Sequence, residues 1–402
     1  MAGPLDGYKV LDLSCGVAGP MAGMFLADYG ASVIKIEPPS GDPFRRLLPA
    51  YHVWNRGKRS LTLDLKTPVG REILDELLRD TDVLLESFGA GVSEELGLDY
   101  PTLSARFPRL VYCSITGYGD PQLDREHHGY EALVHAATGL CNEQPGFRAG
   151  PNFCYFPIAS YGAGILLAIG AIAALYARGS AACGQHVQTS LAEGALAALA
   201  LQLAWAEKPT RNLAIRSSSS PPGHGAPTAD AYLCADGRYI YIHTGAKGSF
   251  ERLCKLVGCR AEDFPGYYPA HFVGDPEQGE RFRTILVNAF LARPMLEMAA
   301  ILQREEIAMG PCLAPGEILR HEQAAANQLA IELDDPELGP IVQPGLQIKF
   351  QATPGAVRGP ARLAGQDNAE IQRSLHANKL TSRANKESSG AGPGMPRVFG
   401  GV

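Results

Sequence analysis

Many of the short strings that announce a chemistry are missing from this 402-residue chain. Gly16, Gly19 and Gly23 give G-x-x-G-x-x-x-G, not G-x-G-x-x-G, so the dinucleotide fingerprint fails, and Walker A is absent too. None of the ten histidines forms H-x-x-x-H or H-E-x-x-H, and the adjacent His127 and His128 cannot both face one ion from a regular strand, so no metal site is expected. A G-x-S-x-G elbow is lacking, which argues against a hydrolase. Nine cysteines at 15, 113, 141, 154, 183, 234, 254, 259 and 312 include no C-x-x-C, a usage that suits unpaired thiols in a reducing cytosol. The opening MAGPLDGYKVLDLS has no basic stretch followed by an apolar one, so no secretory signal is read and a cytoplasmic location is expected.

Positive charge is also scarce: 36 Lys and Arg stand against 42 Asp and Glu, a net charge of −6. A nucleic-acid binder needs a cationic face, so that class is excluded. With 46% apolar and 19% charged residues the chain is neither disordered nor coiled coil. Only Tyr161 to Ala177 is long and uncharged enough to raise a membrane span, at the lower edge of the required length and with no second such segment; a buried central helix is the expectation. No internal repeat is found.

What is present is an alternation. Strand YKVLDLS (8–14), a small-residue loop Cys15 to Pro20, an apolar-periodic stretch and strand ASVIKIE (31–37) make a βαβ crossover. Strand LTLDL (61–65), helix 70–80, strand VLLESF (83–88), a short helix and strand 110–119 extend it, implying an open α/β sheet whose ligand lies beyond the strand ends, in the loops at 15–20, 38–46, 87–91 and 116–121. Two long helices are read over 162–207, interrupted at 179–185. A Ser/Pro/Gly run at 216–225 reads as a linker, and AYLCADGRYIYIH (231–243) as a hairpin turning at Asp236-Gly237. The expected domains are 1–215, a linker 216–230, a small domain 231–325, a return 326–380 and a loose tail 381–402.

LDLSCGVAGPMAGMFLADYGASVIKIEPPSGDPFR resembles the opening of the family III CoA-transferases, and NRGKRSLTLDLKTPVGREIL (55–74), VLLESFGAGVSEELGLDY (83–100), PRLVYCSITGYG (108–119) and GAIAALYARGSAACGQHVQTSLAEG (170–194) continue it over nearly the whole chain. The resemblance implies a Rossmann-like large domain built from both chain ends, a smaller inserted α+β domain, and two such chains interlocked as rings. It implies CoA transfer between carboxylic acids through an aspartate that attacks an acyl-CoA to give a mixed anhydride, with the CoA thioester as substrate and no tightly bound cofactor. The matching CoA-contact positions are Cys15, Gly16, Val17 and Ala18, with Leu63 and Lys66 in the next loop.

The chain departs from the family where the chemistry is done. Registered on Ala173 to Arg178 and Gly184-Gln185, the catalytic aspartate falls on Ser160, whose hydroxyl would give an ester and need a general base. The family's Asn-Phe pair is Ser87-Phe88, an arginine expected at the CoA phosphates is Glu95, and a lysine of the same site is His128. Tyr130 stands where a racemase-type member has its histidine. Compensating cations are sought in Arg45, Arg46, Arg56, Lys58 and Arg59, and the loop 217–225 is stiffened by two prolines. Three readings follow: a subunit without the nucleophile, working with an aspartate-bearing paralogue; a different acyl-CoA chemistry such as racemisation or serine acylation; or a homologue that binds CoA or nothing.

Overall fold

The computed structural model describes residues 3–47, 49–119, 121–143, 150–199, 226–264, 276–314 and 316–377. The chain divides into two compact units, one from residues up to Tyr130, Ala159–Gly194 and Gln328 onward, the other from Glu131–Ile158 and Ala195–Asn327. These boundaries fall at 130, 158, 194 and 327, where the sequence placed divisions at 215, 230 and 325.

The first unit is built on six strands, β1 (Lys9–Asp12), β2 (Ser32–Glu37), β3 (Arg59–Thr62), β4 (Val83–Glu86), β5 (Val111–Thr116) and β6 (His186–Ser190). They pair in the order β3-β2-β1-β4-β5-β6, every pair parallel. This is the doubly wound order, and the direction of winding reverses between β1 and β4, which opens a crevice beyond their carboxyl ends. Helices α1 (Ala18–Asp28), α2 (Ala50–Trp54), α3 (Pro68–Leu78), α4 (Val92–Glu95), α5 (Tyr100–Arg106) and α6 (Ile158–Ala181) lie in the connections. A sheet covered on both faces needs apolar side chains on both. Val10, Val33, Val83 and Val111 accordingly pack with Ala22, Leu26, Leu167 and Ala171, while Leu11, Ile34, Leu84 and Tyr112 pack with Leu74, Leu78, Leu103 and Ile371.

The apolar run considered as a membrane span is α6, and half of its most apolar stretch is buried within the fold. Its inner face is small: Ala159, Ala163, Gly164, Ala168, Ala171 and Ala174 are buried. A Cβ on Gly164 would sit 2.6 Å from the Ala18 carbonyl oxygen, so this glycine brings α6 against the start of α1. A Cβ on Gly194, in α7 (Leu191–Ala198), would lie 2.2 Å from the Ala159 carbonyl oxygen. Gly194→Ala must push two backbones apart and is expected to lower the unfolding free energy by about 1–3 kcal/mol. The urea midpoint of the variant checks this; an unchanged midpoint would show that α7 moves off α6 at no cost.

The residues 186–190 depart from expectation. They lie in what was read as the second of two long helices and instead form the edge strand β6, its Tyr112↔His186 to Thr116↔Ser190 register set against β5. The third strand is Arg59–Thr62 rather than 61–65. Its end is fixed by Asp64, whose side chain accepts from the Lys66 amide and whose carbonyl accepts from Thr67, opening α3. The linker residues 216–225 and the tail 381–402 lie outside the described residues.

The second unit carries the expected hairpin, β7 (Ala229–Leu233) with β8 (Tyr239–His243), and Gly237 takes a positive φ of 75° at its turn. A third strand, β9 (Ala308–Pro311), pairs with β8. Helices α8 (Ser249–Leu256), α9 (Pro276–Leu291) and α10 (Met295–Arg304) belong to the same unit, whose core joins Ile240, Ile242, Phe250, Phe282, Phe290 and Met298. A second hairpin, β10 (Ala330–Asp335) with β11 (Gly339–Pro344), returns to the first unit. His52 Nδ1 lies 2.7 Å from Asp335 Oδ2, and the Arg56 guanidinium donates to the Pro344 and Gly345 carbonyls.

Candidate functional site

The loop between β1 and α1 is shaped by the three glycines whose spacing excluded a dinucleotide site. Gly16 turns the chain with a φ of +82°, a conformation that a side chain would oppose. At Gly19 a Cβ would fall 2.2 Å from Ser14 Cβ, so only glycine lets the helix begin this close to the strand. At Gly23 it would meet Asp12 Oδ2 at 2.8 Å and Lys58 Nζ at 3.0 Å, the two ends of a buried ion pair.

That pair belongs to a network under the loop. Lys58 Nζ donates to Asp12 Oδ2 at 2.6 Å, to the Pro20 carbonyl at 2.7 Å and to Asn55 Oδ1 at 3.1 Å. The other Asp12 oxygen accepts from the amide and hydroxyl of Ser14. Lys35 Nζ reaches the Ser14 carbonyl and pairs with Asp42 at 3.0 Å. Beside it Glu37 accepts two guanidinium hydrogen bonds from Arg45, both 2.7 Å, and one from Ser60. Burial alone would raise the Asp12 carboxyl, but Lys58 and Lys35 outweigh it and hold the group below its ordinary value. Lys58, wholly buried and facing Lys35 as well as Asp12, is pushed down to about 8. These contacts fix both ends of the loop 13–17, and with them the position of Cys15 and Gly16.

Three cations that were to compensate at the CoA phosphates are therefore committed elsewhere: Arg45 to Glu37, Arg56 to Asp28 and Lys58 to Asp12. Arg59 lies 3.6 Å from Glu370. Only Arg46 of the five stands exposed without belonging to these pairs. Closeness in sequence had grouped side chains whose carboxylate partners, Glu37, Asp28 and Asp12, lie on different elements.

The loops after β1 and β4 meet at the reversal point. The Cys15 amide donates to Ser87 Oγ at 2.9 Å, and Ser87 Oγ donates back to the Cys15 carbonyl at 3.2 Å. Cys15 is exposed at the surface, while the desolvation of the packed loop pushes its thiol up. Phe88 follows, partly packed on the core, and its amide donates to Glu86 Oε2 at 2.7 Å. Val17 and Ala18 complete the loop, and no side chain caps the first turn of α1. Because Gly164 touches the Ala18 carbonyl, Ser160, one turn earlier on the same face of α6 and 7% exposed, is brought to this end of the unit. Cys15 and Ser87-Phe88 are thus joined at the reversal point, and Ser160 lies one turn before the glycine that packs on the start of α1.

The remaining positions divide. The Leu63 side chain is buried in the apolar core, so it offers a ligand nothing but backbone. Lys66 is exposed in the loop after β3, where a cation can meet an anion. His128 is exposed and stacked on Tyr130, centroids 5.4 Å apart, and the adjoining Gly129 packs on Gly117 just past β5. Sequence reasoning passed over Glu86 and the ionic network. The available signal was the charge of Lys35, Glu37 and Glu86 inside strands otherwise apolar.

The family model for CoA-transferase family III matches residues 5–368. The chain belongs to CoA-transferase family III. A succinate–glutarate CoA-transferase of Agrobacterium fabrum is 30% identical over 94% of this chain and 97% of its own length. A formyl-CoA:oxalate CoA-transferase of Streptomyces avermitilis is 32% identical over 92% of this chain and 95% of its own. Among solved structures, a CAIB/BAIF family protein from Brucella suis superposes with a TM-score of 0.76 at 28% identity, covering 93% of this chain and all of that one. Within the stretch that carried the resemblance, the glycines of the first loop let α1 begin close against β1.

Proposed function

We propose that this chain is one subunit of a family III CoA-transferase that exchanges CoA between an acyl-CoA thioester, succinyl-CoA for example, and a free carboxylic acid, and that its partner is a paralogous subunit with aspartate at the position of Ser160. The observation that carries the reading is the serine itself, buried in the first turn of α6, one turn before the Gly164 that packs on the start of α1. In the transfer a carboxylate attacks the thioester carbonyl; a C–O bond forms, the C–S bond breaks, and CoA leaves as thiolate. The resulting anhydride keeps the acyl group activated for the return of thiolate, whereas an ester on Ser160 does not, and its formation needs a base to take the hydroxyl proton. The carboxylate therefore comes from the partner. The CoA thioester is a substrate, held by Cys15 to Ala18 and Ser87-Phe88, with Lys66 toward its phosphates.

An outer apolar stripe supports the partner. Tyr161, Ile165, Ile169, Ile172 and Tyr176 recur every three or four residues along α6 and are exposed, between 39% and 88%. Such a contiguous row is a protein contact surface more often than a solvated face. The test is a pair of single substitutions in the reconstituted heteromer. Ser160→Ala should leave turnover within about tenfold, because a serine hydrogen bond contributes only about 0.5–1.5 kcal/mol. Substituting the partner's aspartate should cost about 10⁴-fold or more. The reverse pattern makes Ser160 the nucleophile and removes the division of labour.

A further inference from the structure

Glu86 ends β4 at the reversal point of the sheet, is 5% exposed, and forms no ion pair among the described residues. Its Oε2 accepts from the Phe88 amide at 2.7 Å, and the Tyr112 side chain on β5 acts on the same carboxyl. The other groups facing it are Glu94 of α4, a like charge, and the buried thiol of Cys113 on β5; no cation acts on it. Buried carboxylates are normally paired or coordinated, so an unpaired one beneath a ligand loop calls for a role. Burial, against the pull of the Phe88 amide and the Tyr112 hydroxyl, pushes it up to about 7. It therefore changes charge across the neutral range.

We infer that Glu86 is a positioning residue for the CoA loop: its ionised carboxylate grips the Phe88 amide and holds the Ser87–Phe88 turn, with the Ser87–Cys15 bridge, in the binding form, and its protonation loosens that grip. The charged acceptor makes the stronger hydrogen bond, roughly twice that of a neutral one. When a proton occupies the carboxyl, the tie of the turn to β4 weakens and Ser87, the partner of Cys15, is held less firmly. This deepens the reading of the loops as the CoA site and rests on it. CoA binding to this chain is thereby coupled to pH.

The experiment is calorimetric titration of coenzyme A itself into the purified chain at pH 6, 7 and 8, for the wild type, Glu86→Gln and Tyr112→Phe. CoA's own phosphates titrate in this range, so the ratio of the Gln variant's Kd to the wild-type Kd is read, in which they cancel. That ratio should rise from about 1 at pH 6 to about 10 at pH 8, the gain from a charged acceptor. Tyr112→Phe removes a hydroxyl whose influence favours the ionised form of Glu86, so its affinity should improve only at a higher pH than the wild type's. This arm carries the test on its own if the Gln variant does not fold. A ratio constant across pH, whether at 1 or offset, overturns the inference while leaving the site intact, as does a Tyr112→Phe profile superposed on the wild type. Absence of CoA binding to the wild type at every pH overturns the site reading beneath it.

Discussion

Asp12→Ala is expected to lower the unfolding free energy by about 3–5 kcal/mol, the usual cost of taking one partner from a buried ion pair. Asp12 is fully buried and is the shared acceptor of Lys58 and Ser14, with Lys35 held close by through the Ser14 carbonyl. Removing the carboxylate leaves two ammonium groups facing each other in a water-poor interior. Lys58 can answer by giving up its proton, since it is already pushed down to about 8, and that caps the loss. The companion variant Asp12→Leu with Lys58→Met removes the pair together and should recover more than half of the stability, because well-packed apolar replacements of buried pairs are often neutral. Urea unfolding of the three proteins measures both. A loss below about 1 kcal/mol for Asp12→Ala would show that water reaches the lysines, and the loop would then not be anchored from below.

Ser160→Asp is expected to raise the CoA-transferase turnover of the isolated chain far above that of the unmodified one. Loss of a unitary nucleophile costs about 10⁴–10⁶ in rate, so its restoration on an otherwise formed site should return at least 10² of it. The position suits a carboxylate: it lies in the first turn of a 24-residue helix, where the helix dipole favours negative charge, and its neighbours on that face are Ala163 and Gly164. Incubation with succinyl-CoA followed by hydroxylamine should trap an aspartyl adduct at residue 160 in the variant alone, detectable by peptide mass. A folded Ser160→Asp protein that binds CoA yet forms neither adduct nor product would place the defect in the surrounding site and not in the missing aspartate. Adduct on the unmodified Ser160 would instead establish serine acylation.

The sheet and its first crossover were legible because their pattern is repetitive: four of the expected strands coincide with β1, β2, β4 and β5 to within a few residues. The edge strand His186–Ser190 was not, since HVQTS is short, polar and half exposed, with only Thr189 and Ser190 buried. Nothing in its composition separates it from a helix connection; parallel pairing with Val111–Thr116 defines it. The loop residues Cys15 to Ala18 and Ser87 were named from the family string, but the hydrogen bonds that join them cross 72 positions of sequence. The cations failed for the opposite reason. Arg56 and Lys58 are two apart, yet one turns to Asp28 and the other to Asp12, and periodicity cannot tell an ammonium facing solvent from one facing a buried carboxylate.

Arg56 grips Gly345, Ser60 hydrogen-bonds to Asp367, Thr62 to Asn368, and Tyr29 to Ile348, each tie spanning about 290 to 320 residues. During synthesis the first sixty residues emerge long before these partners exist. Their charged groups and strand edges must wait while the second unit is made, exposed to solvent and to other chains. Closing this long loop is the largest entropic cost of long-range contact in the first unit, and it falls late in synthesis.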